Sequence, residues 1–405
     1  MTPAILSLAA VSFVIAWAAT FAMRRVAPRF DFVDRPGHRK VHRAPTPLGG
    51  GVGIFLGFAL PLLLGVWVVP SLPAGSVMSE GSRGRELFTA LQGGILRQRP
   101  MALGLVGAML AMHLLGLRDD RRAMGPFSKL FIQLAIVAAF VAYFDVRALT
   151  VLDKLHLGRL PSIVVTVLWI TAISNAFNFL DNMDGLSAGV AAVCTAAFLV
   201  AAVSIQQWFV AAALALLLGA LLGFLCFNFP PASIFMGDAG SLVVGLVLGV
   251  LTVRTTFLRP GDDFGAGWYA LFAPLIVLAV PLYDLVVVSA IRMSRGKSPF
   301  VGDTNHFSHR LVARGMSRRT AVLCIYLVTA ATAVAAVILA QAHSSFVAVL
   351  VFGQTVLILG VVGLLEQHPF PKAVTTSPDV PVGNGEIALT APTEERPQLA
   401  DHAGS

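Results

Sequence analysis

The chain has 405 residues, of which 57% are hydrophobic and 12% charged, and its mean hydropathy is +0.81. A soluble domain carries about twice that charged fraction, so the composition excludes a water-soluble protein and indicates an all-α, polytopic integral membrane protein. The net charge of +8 is no nucleic-acid signature, because no basic stripe interleaves with aromatic residues; basic loops on the cytoplasmic side of a bilayer account for it.

Crossing a hydrocarbon core takes about 17 to 25 apolar residues. Eleven runs meet that length, near 3–23, 47–70, 101–117, 127–144, 161–180, 186–203, 207–228, 241–258, 268–290, 320–341 and 345–365. The first lacks a charged leader and a small-residue cleavage site, so it is expected to stay as an uncleaved helix. A turn at Asp184-Gly185 should fold the fifth and sixth spans into a helical hairpin.

The loops around 24–46, 118–129 and 291–319 hold 18 lysines and arginines, against 9 in the opposite loops near 71–100, 145–160 and 254–267. The positive-inside bias makes the first set cytoplasmic and the protein a multi-pass inner (plasma) membrane protein, with its N-terminus outside. Arg85 to Leu96 is a candidate interfacial helix. Residues 1–370 are expected to form one membrane domain, and 371–405, polar and aperiodic, a disordered tail. Cys194, Cys226 and Cys324 lie in apolar segments without metal-ligand spacing and read as small core residues.

The cytoplasmic loops collect Asp31, Asp34, Asp119, Asp120, Asp181, Asp184, Asp238 and Asp303, and no glutamate. Short, stiff carboxylates suit a hard metal ion or an ordered charged ligand. The segment Asp31–Gly51, with Arg35, Arg39, Lys40, His42 and Arg43, reads mostly as a positive-inside anchor. Between Gly116 and Lys129, adjacent Asp119 and Asp120 repel one another unless a cation lies beside them; a solvated helix-end charge cluster is the rival interpretation.

In Asn175–Leu186, Asn175, Asn178 and Asn182 fall on one helical face, with Asp181 and Asp184 beside them. Such groups are expensive at a membrane boundary unless a cavity, partner or metal uses them, although a polar helix end meeting water would look similar. Gly237-Asp238-Ala239-Gly240-Ser241 opens the next span, where helix-start amides suit phosphate oxygens; a plain N-cap by Asp238 or Ser241 fits equally well.

Asp284 lies inside the ninth span and requires a partner or a cleft. The loop Gly296–Gly315 brings Asp303, His306, His309 and Arg310 together, a set better suited to orienting a nucleotide-sugar diphosphate than to holding zinc. His113, on an apolar helix, reads as a packed histidine.

From about Asp34 to Ser317 these motifs, in this order, resemble the polyprenyl-phosphate N-acetylhexosamine-1-phosphate transferases, the glycosyltransferase 4 family. The resemblance implies transfer of a sugar-1-phosphate from a UDP-sugar to a membrane polyprenyl phosphate, with release of UMP. It also implies Mg2+, with Mn2+ as the alternative ion, and allows a homodimer. Asp119 and Asp120 match the paired aspartates, while Asn178, Asp181 and Asp184 match the central polar motif, with Asn175 beside it. Asp238 matches the metal-binding aspartate, with Asp181 as its partner, and Lys129 matches a lysine near phosphate.

Asp303, His306, His309 and Arg310 are similar to the branch that uses UDP-N-acetylglucosamine and undecaprenyl phosphate. Two positions depart from the pattern: Asn182 stands where a glycine is common, and Ser308 where a histidine is. The branch acting on UDP-N-acetylmuramoyl-pentapeptide is less similar, since its consecutive histidines are absent. A cation-coupled transporter would place its acids near the bilayer midplane rather than at one face, and a noncatalytic scaffold would need only the spans.

Overall fold

A computed structural model describes residues 2–35, 45–73, 83–154, 158–255, 272–299, 305–341 and 344–366. The sequence-predicted tail at 371–405, Asp303, and the basic residues Arg39, Lys40, His42 and Arg43 lie outside the described residues.

The chain is a helical bundle. In order it forms α1 (Thr2–Val26), α2 (Gly50–Ser71), α3 (Arg83–Arg121), α4 (Pro126–Phe144), α5 (Leu160–Leu180), α6 (Leu186–Ser204), α7 (Trp208–Asn228) and α8 (Asp238–Arg254). The rest comprises α9 (Ala273–Val277), α10 (Ala279–Ser294), the short α11 (Phe307–Ala313), α12 (Arg318–Gln341) and α13 (Ser345–Leu365). A two-stranded ribbon, β1 (Val33–Asp34) with β2 (Thr46–Pro47), pairs antiparallel before α2. Among the described residues nine helices are long and apolar enough to cross a membrane.

Two of the expected spans take a different form. The eighth, α8, has 17 residues, a length of about 25 Å at 1.5 Å per residue, less than a hydrocarbon core of about 30 Å. Protein rather than lipid surrounds it: Ala239 through Thr252 are all buried, against α2, α3 and α5 above all. The ninth is broken at Leu278 into α9 and α10.

The interfacial helix expected from Arg85 to Leu96 is instead the first part of the continuous 39-residue α3, which includes Pro100. A proline removes one backbone donor from a helix, and here it neither ends α3 nor separates the two segments. Nor do α5 and α6 form a close hairpin. The turn at Gly185 is tight, with φ +74°, but α5 packs mainly on α8, and α6 on α7 and α12.

Outward-facing positions are strongly apolar, as on α13, where Phe346, Val349, Val356 and Leu357 are exposed. A lipid-facing surface needs no polar cover, so hydrophobicity does not separate inside from outside here. Cys194 is buried, but Cys226 is exposed on α7 and Cys324 partly so, and all three are free. The expectation of three core cysteines therefore holds for one of them fully.

Candidate active site

Four helix ends meet: the last turn of α3, the first turns of α4 and α8, and the last turn of α5. Lys129 Nζ on α4 donates to Asp119 Oδ2 at 3.0 Å, to Asn178 Oδ1 at 3.4 Å and to Asp238 Oδ2. Asn178 Nδ2 donates to Asp238 Oδ1 at 2.7 Å and to Ser241 Oγ at 3.0 Å. The ammonium between two carboxylates offsets their repulsion. Asp238 keeps 24% of its side-chain surface accessible and Asp119 16%, so the cluster is recessed yet reachable.

Asp120 does something different from Asp119. Its Oδ1 accepts from the Asp238 N–H at 2.8 Å and its Oδ2 from the Ala239 N–H at 3.1 Å. A carboxylate from α3 thus satisfies the orphan donors of α8 and meets the positive end of its dipole. Neither Asp238 nor Ser241 caps the helix. The cap residue is Gly237, at φ +68° and without a side chain, and the Ser241 hydroxyl donates back to the Gly237 carbonyl at 3.1 Å. A Cβ at Gly237 would lie 2.6 Å from Asp120 Oδ2. The helix-start amides expected to meet phosphate are therefore already occupied by Asp120.

The approach of α3 to α8 depends on Gly116, where a Cβ would come within 2.4 Å of the Ala239 backbone. That contact delivers Asp119 and Asp120 to the start of α8 one turn later. One turn earlier His113 donates from Nδ1 to the Ala239 carbonyl at 2.9 Å and stacks on Phe55 at 4.9 Å. It is a packed histidine, as its apolar helix suggested.

Asp181 follows the last residue of α5 and lies within electrostatic range of Asp238, Asp120 and Asp184. Desolvation by the surrounding protein, and then the Asp238 and Asp120 carboxylates, hold its carboxyl well above the ordinary range, against an opposing backbone amide at Gly237. Among the described residues no side chain hydrogen-bonds to Asp181. Asp184 turns away to accept the Ala232 N–H at 2.9 Å, which ties the α5–α6 turn to the α7–α8 loop.

The three asparagines do not share one face. α5 ends at Leu180, so Asn182 lies beyond it and caps it by donating to the Phe179 carbonyl at 2.7 Å. Asn178 points to Asp238. Asn175 points into the bundle, donating to Gln133 Oε1 at 2.7 Å and to the Thr171 carbonyl at 2.8 Å. It is not brought into the Lys129–Asp238 cluster.

A second polar cluster surrounds α11. Asp284 has its partners: its Oδ2 accepts from His306 Nδ1 at 2.8 Å, and its Oδ1 from the Phe307 N–H at 2.7 Å. Arg292 Nη2 lies 3.4 Å from His306 Nε2; a guanidinium can only donate, so that nitrogen accepts. His306 is thus held within the protein on both ring nitrogens. The His309 ring centroid lies 6.4 Å from that of His306. Ser308 Oγ donates to Asn182 Oδ1 at 2.6 Å, joining this cluster to the acidic one. Arg310 forms a fork with Glu366, at 3.0 Å from Nε and 2.9 Å from Nη2.

Sequence reasoning missed Gln133, Ser241 as a partner of Asn178, Arg292 and Glu366. Gln133 carried a signal, since it lies four residues after Lys129 on the same face of an apolar helix. Glu366 carried another, as the only glutamate between residues 87 and 385.

The acidic cluster offers hard oxygen donors suited to magnesium. Among the described residues no three carboxylate, histidine or cysteine groups form a ready-made metal cage. Magnesium is ordinarily held by one or two carboxylates together with substrate phosphates. Asp181, to which no side chain among the described residues bonds and which feels the Asp238 charge, fits that demand. A cavity of about 390 Å³ is lined by Asp120 together with Phe30, Phe32, Leu48, Asp31, Arg121 and Arg122.

Residues 102–256 match the profile described as Glycosyl transferase family 4. The chain is 30% identical over 374 residues to the probable undecaprenyl-phosphate N-acetylglucosaminyl 1-phosphate transferase of Bacillus subtilis (strain 168), covering 89% of this chain and 94% of that one. It is 32% identical over 335 residues to the decaprenyl-phosphate N-acetylglucosaminephosphotransferase of Mycolicibacterium smegmatis, covering 78% and 77%. With the undecaprenyl-phosphate alpha-N-acetylglucosaminyl 1-phosphate transferase of Salmonella typhi it shares 28% identity over 349 residues, 81% of each chain.

Proposed function

Because the chain belongs to glycosyl transferase family 4, we propose that it transfers N-acetylglucosamine-1-phosphate from UDP-N-acetylglucosamine to a polyprenyl phosphate, giving a polyprenyl diphosphate sugar and UMP. The observation that carries this reading is the meeting of Asp119, Lys129, Asn178 and Asp238, with Asp181 alongside, at one end of the bundle. By the same reading that end faces the cytoplasm at the inner membrane.

The reaction brings two polyanions together. An oxygen of the lipid phosphate attacks the β-phosphorus of the UDP-sugar, the bond from that phosphorus to the bridging oxygen breaks, and UMP leaves with the electron pair. The nucleophile needs little help from a base, since the second ionisation of a phosphate ester lies near pKa ~6. Asp119 and Asp120 are therefore not required as proton acceptors, and Asp120 is already engaged at the start of α8. Direct displacement also avoids a covalent aspartyl-phosphate.

Lys129 supplies a fixed positive charge where the phosphates meet, positioned by two carboxylates and an amide. Asn178 orients Asp238 so that one of its oxygens faces Lys129 and the other the amide. Asp238 and Asp181 are the residues that would hold Mg2+. When bound, the ion supplies charge cancellation between donor diphosphate and acceptor phosphate. The cavity beside Asp120, lined by both phenylalanines and arginines, suits the junction of a lipid chain with its phosphate.

The test is UMP release by detergent-purified protein given undecaprenyl phosphate, Mg2+ and a panel of UDP-sugars. UDP-N-acetylglucosamine should lead the panel and EDTA should abolish release. No release with any donor, alongside solute uptake by the reconstituted protein, would overturn the reading.

A further inference from the structure

The short helix α11 carries His309 and follows His306, yet it has only seven residues and cannot hold its own position. It is fixed at three successive points by three distant segments: His306 by Asp284 on α10, Ser308 by Asn182 after α5, and Arg310 by Glu366 after α13. Asn182 borders the acidic centre, one residue after Asp181, and Asp284 lies within the cluster around α11.

Glu366 sits in an unfavourable place for a carboxylate. It ends the 21-residue α13, where the helix dipole is negative, and it is 6% exposed. Both effects oppose its charge unless a cation is supplied. Arg310 supplies one in a two-pronged geometry, the strongest form of such a pair. Tyr283 Oη adds a hydrogen bond to Glu366 Oε2 at 3.3 Å, and the Tyr283 ring meets Phe307 edge-on at 6.0 Å. Arg310 also donates to the Asn305 carbonyl just ahead of α11. Each nitrogen of the guanidinium thus makes a hydrogen bond within the protein.

We propose that Glu366 is a positioning residue: acting through Arg310, it sets the orientation of α11 and so of His309 toward the donor substrate. Arg310, expected from the sequence to bind substrate, serves here as the link. The inference rests on the transferase reading for its kinetic consequence, but the clamp itself does not.

The experiment compares the full-length protein with Glu366→Gln, Glu366→Asp and the charge-exchanged pair Arg310→Glu/Glu366→Arg. UMP release gives kcat and the KM for each substrate; hydrogen–deuterium exchange of the 305–314 peptides gives the local order of α11. In Glu366→Gln we expect faster exchange confined to those peptides and to the end of α13. We also expect a KM for UDP-N-acetylglucosamine raised about tenfold, corresponding to ~1.4 kcal/mol, with the KM for polyprenyl phosphate unchanged. Glu366→Asp or the exchanged pair should restore part of both.

Unchanged exchange and unchanged KM in Glu366→Gln would overturn the proposal while leaving the transferase reading intact. Equal losses for both substrates with global loosening would also overturn it, as the mark of a merely structural residue. If the unmodified protein releases no UMP, the transferase reading fails, and exchange alone then decides whether Glu366 holds α11.

Discussion

Ser308 Oγ and Asn182 Oδ1 lie 2.6 Å apart, although 126 residues separate them in the chain. These are the two positions at which the sequence departs from the pattern it otherwise resembles, and they depart toward each other. A serine is short enough to place its hydroxyl on the amide, and an asparagine, unlike a glycine, has an amide to offer. Ser308 is 1% exposed, so its hydroxyl has no solvent to fall back on. The pair couples the turn bearing Asp181 and Asp184 to the helix bearing His309.

The coupling predicts non-additive effects. Ser308→Ala and Asn182→Gly should each lower the apparent melting temperature and slow UMP release, whereas the double variant should lose little more than either single one. The interaction energy should be about 1 kcal/mol. Strict additivity in both readouts would mean that the hydrogen bond contributes nothing.

Lys129 holds the centre of the charge arrangement. Lys129→Met keeps the length of the side chain and removes the charge, leaving Asp119 and Asp238 to repel one another. UMP release should fall about 100-fold, the scale seen when one preorganised electrostatic group is removed. Lys129→Arg should not restore it, because a planar fork cannot place one charge among three acceptors as an ammonium does. Near-normal turnover in Lys129→Met would remove the residue from the proposed chemistry.

Asp120 should show itself in stability. Asp120→Ala removes both acceptors from the start of α8 and should cost about 1–2 kcal/mol, as loss of a helix cap does. Asp120→Asn keeps one acceptor oxygen and should cost less. Gly237→Ala should be at least as damaging as Asp120→Ala, since it combines left-handed backbone at φ +68° with a 2.6 Å approach to the Asp120 carboxylate. Thermal unfolding in detergent ranks the three; a silent Gly237→Ala would contradict the geometry.

Asp181 gives a pH dependence with a definite sign. Its folded carboxyl titrates above the ordinary aspartate value of 3.8, so the folded state binds more protons than the unfolded one across that interval. Stability from this group is present below 3.8 and is lost as the pH rises through the raised value. Without divalent ions, Asp181→Asn should flatten that decline and melt higher than the parent at neutral pH. Adding Mg2+ should stabilise the parent by mass action and leave Asp181→Asn nearly unmoved. A parent protein indifferent to both pH and Mg2+ would argue against Asp181 as a ligand.

The sequence made the bundle and the acidic centre legible for one physical reason. Apolar runs must cross the bilayer, so charged residues at their ends gather on the same side, and Asp119, Lys129, Asn178 and Asp238 meet with few alternatives open to them. Which partner each side chain takes depends on helix rotation and tilt, and hydropathy does not encode these. That is why Asp120 could be found but not its role at the start of α8, and why Asn175 looked like a neighbour of Asn178 while facing Gln133. The Arg310–Glu366 fork was hidden for the same reason, since it spans 56 residues. The break at Leu278 did carry a local signal, since Pro281 has no N–H to offer the Val277 carbonyl four residues earlier, whereas Pro100 leaves α3 unbroken, so a proline alone does not decide where a helix ends.

The enclosure of α8 bears on how the protein is made. A segment with no lipid-facing side gains little from partitioning into the bilayer by itself, and its berth exists only once α2, α3 and α5 stand around it. The seating of Asp238 beside Lys129 and Asn178 therefore waits on the packing of α2, α3 and α5, whatever the order in which the spans enter the membrane.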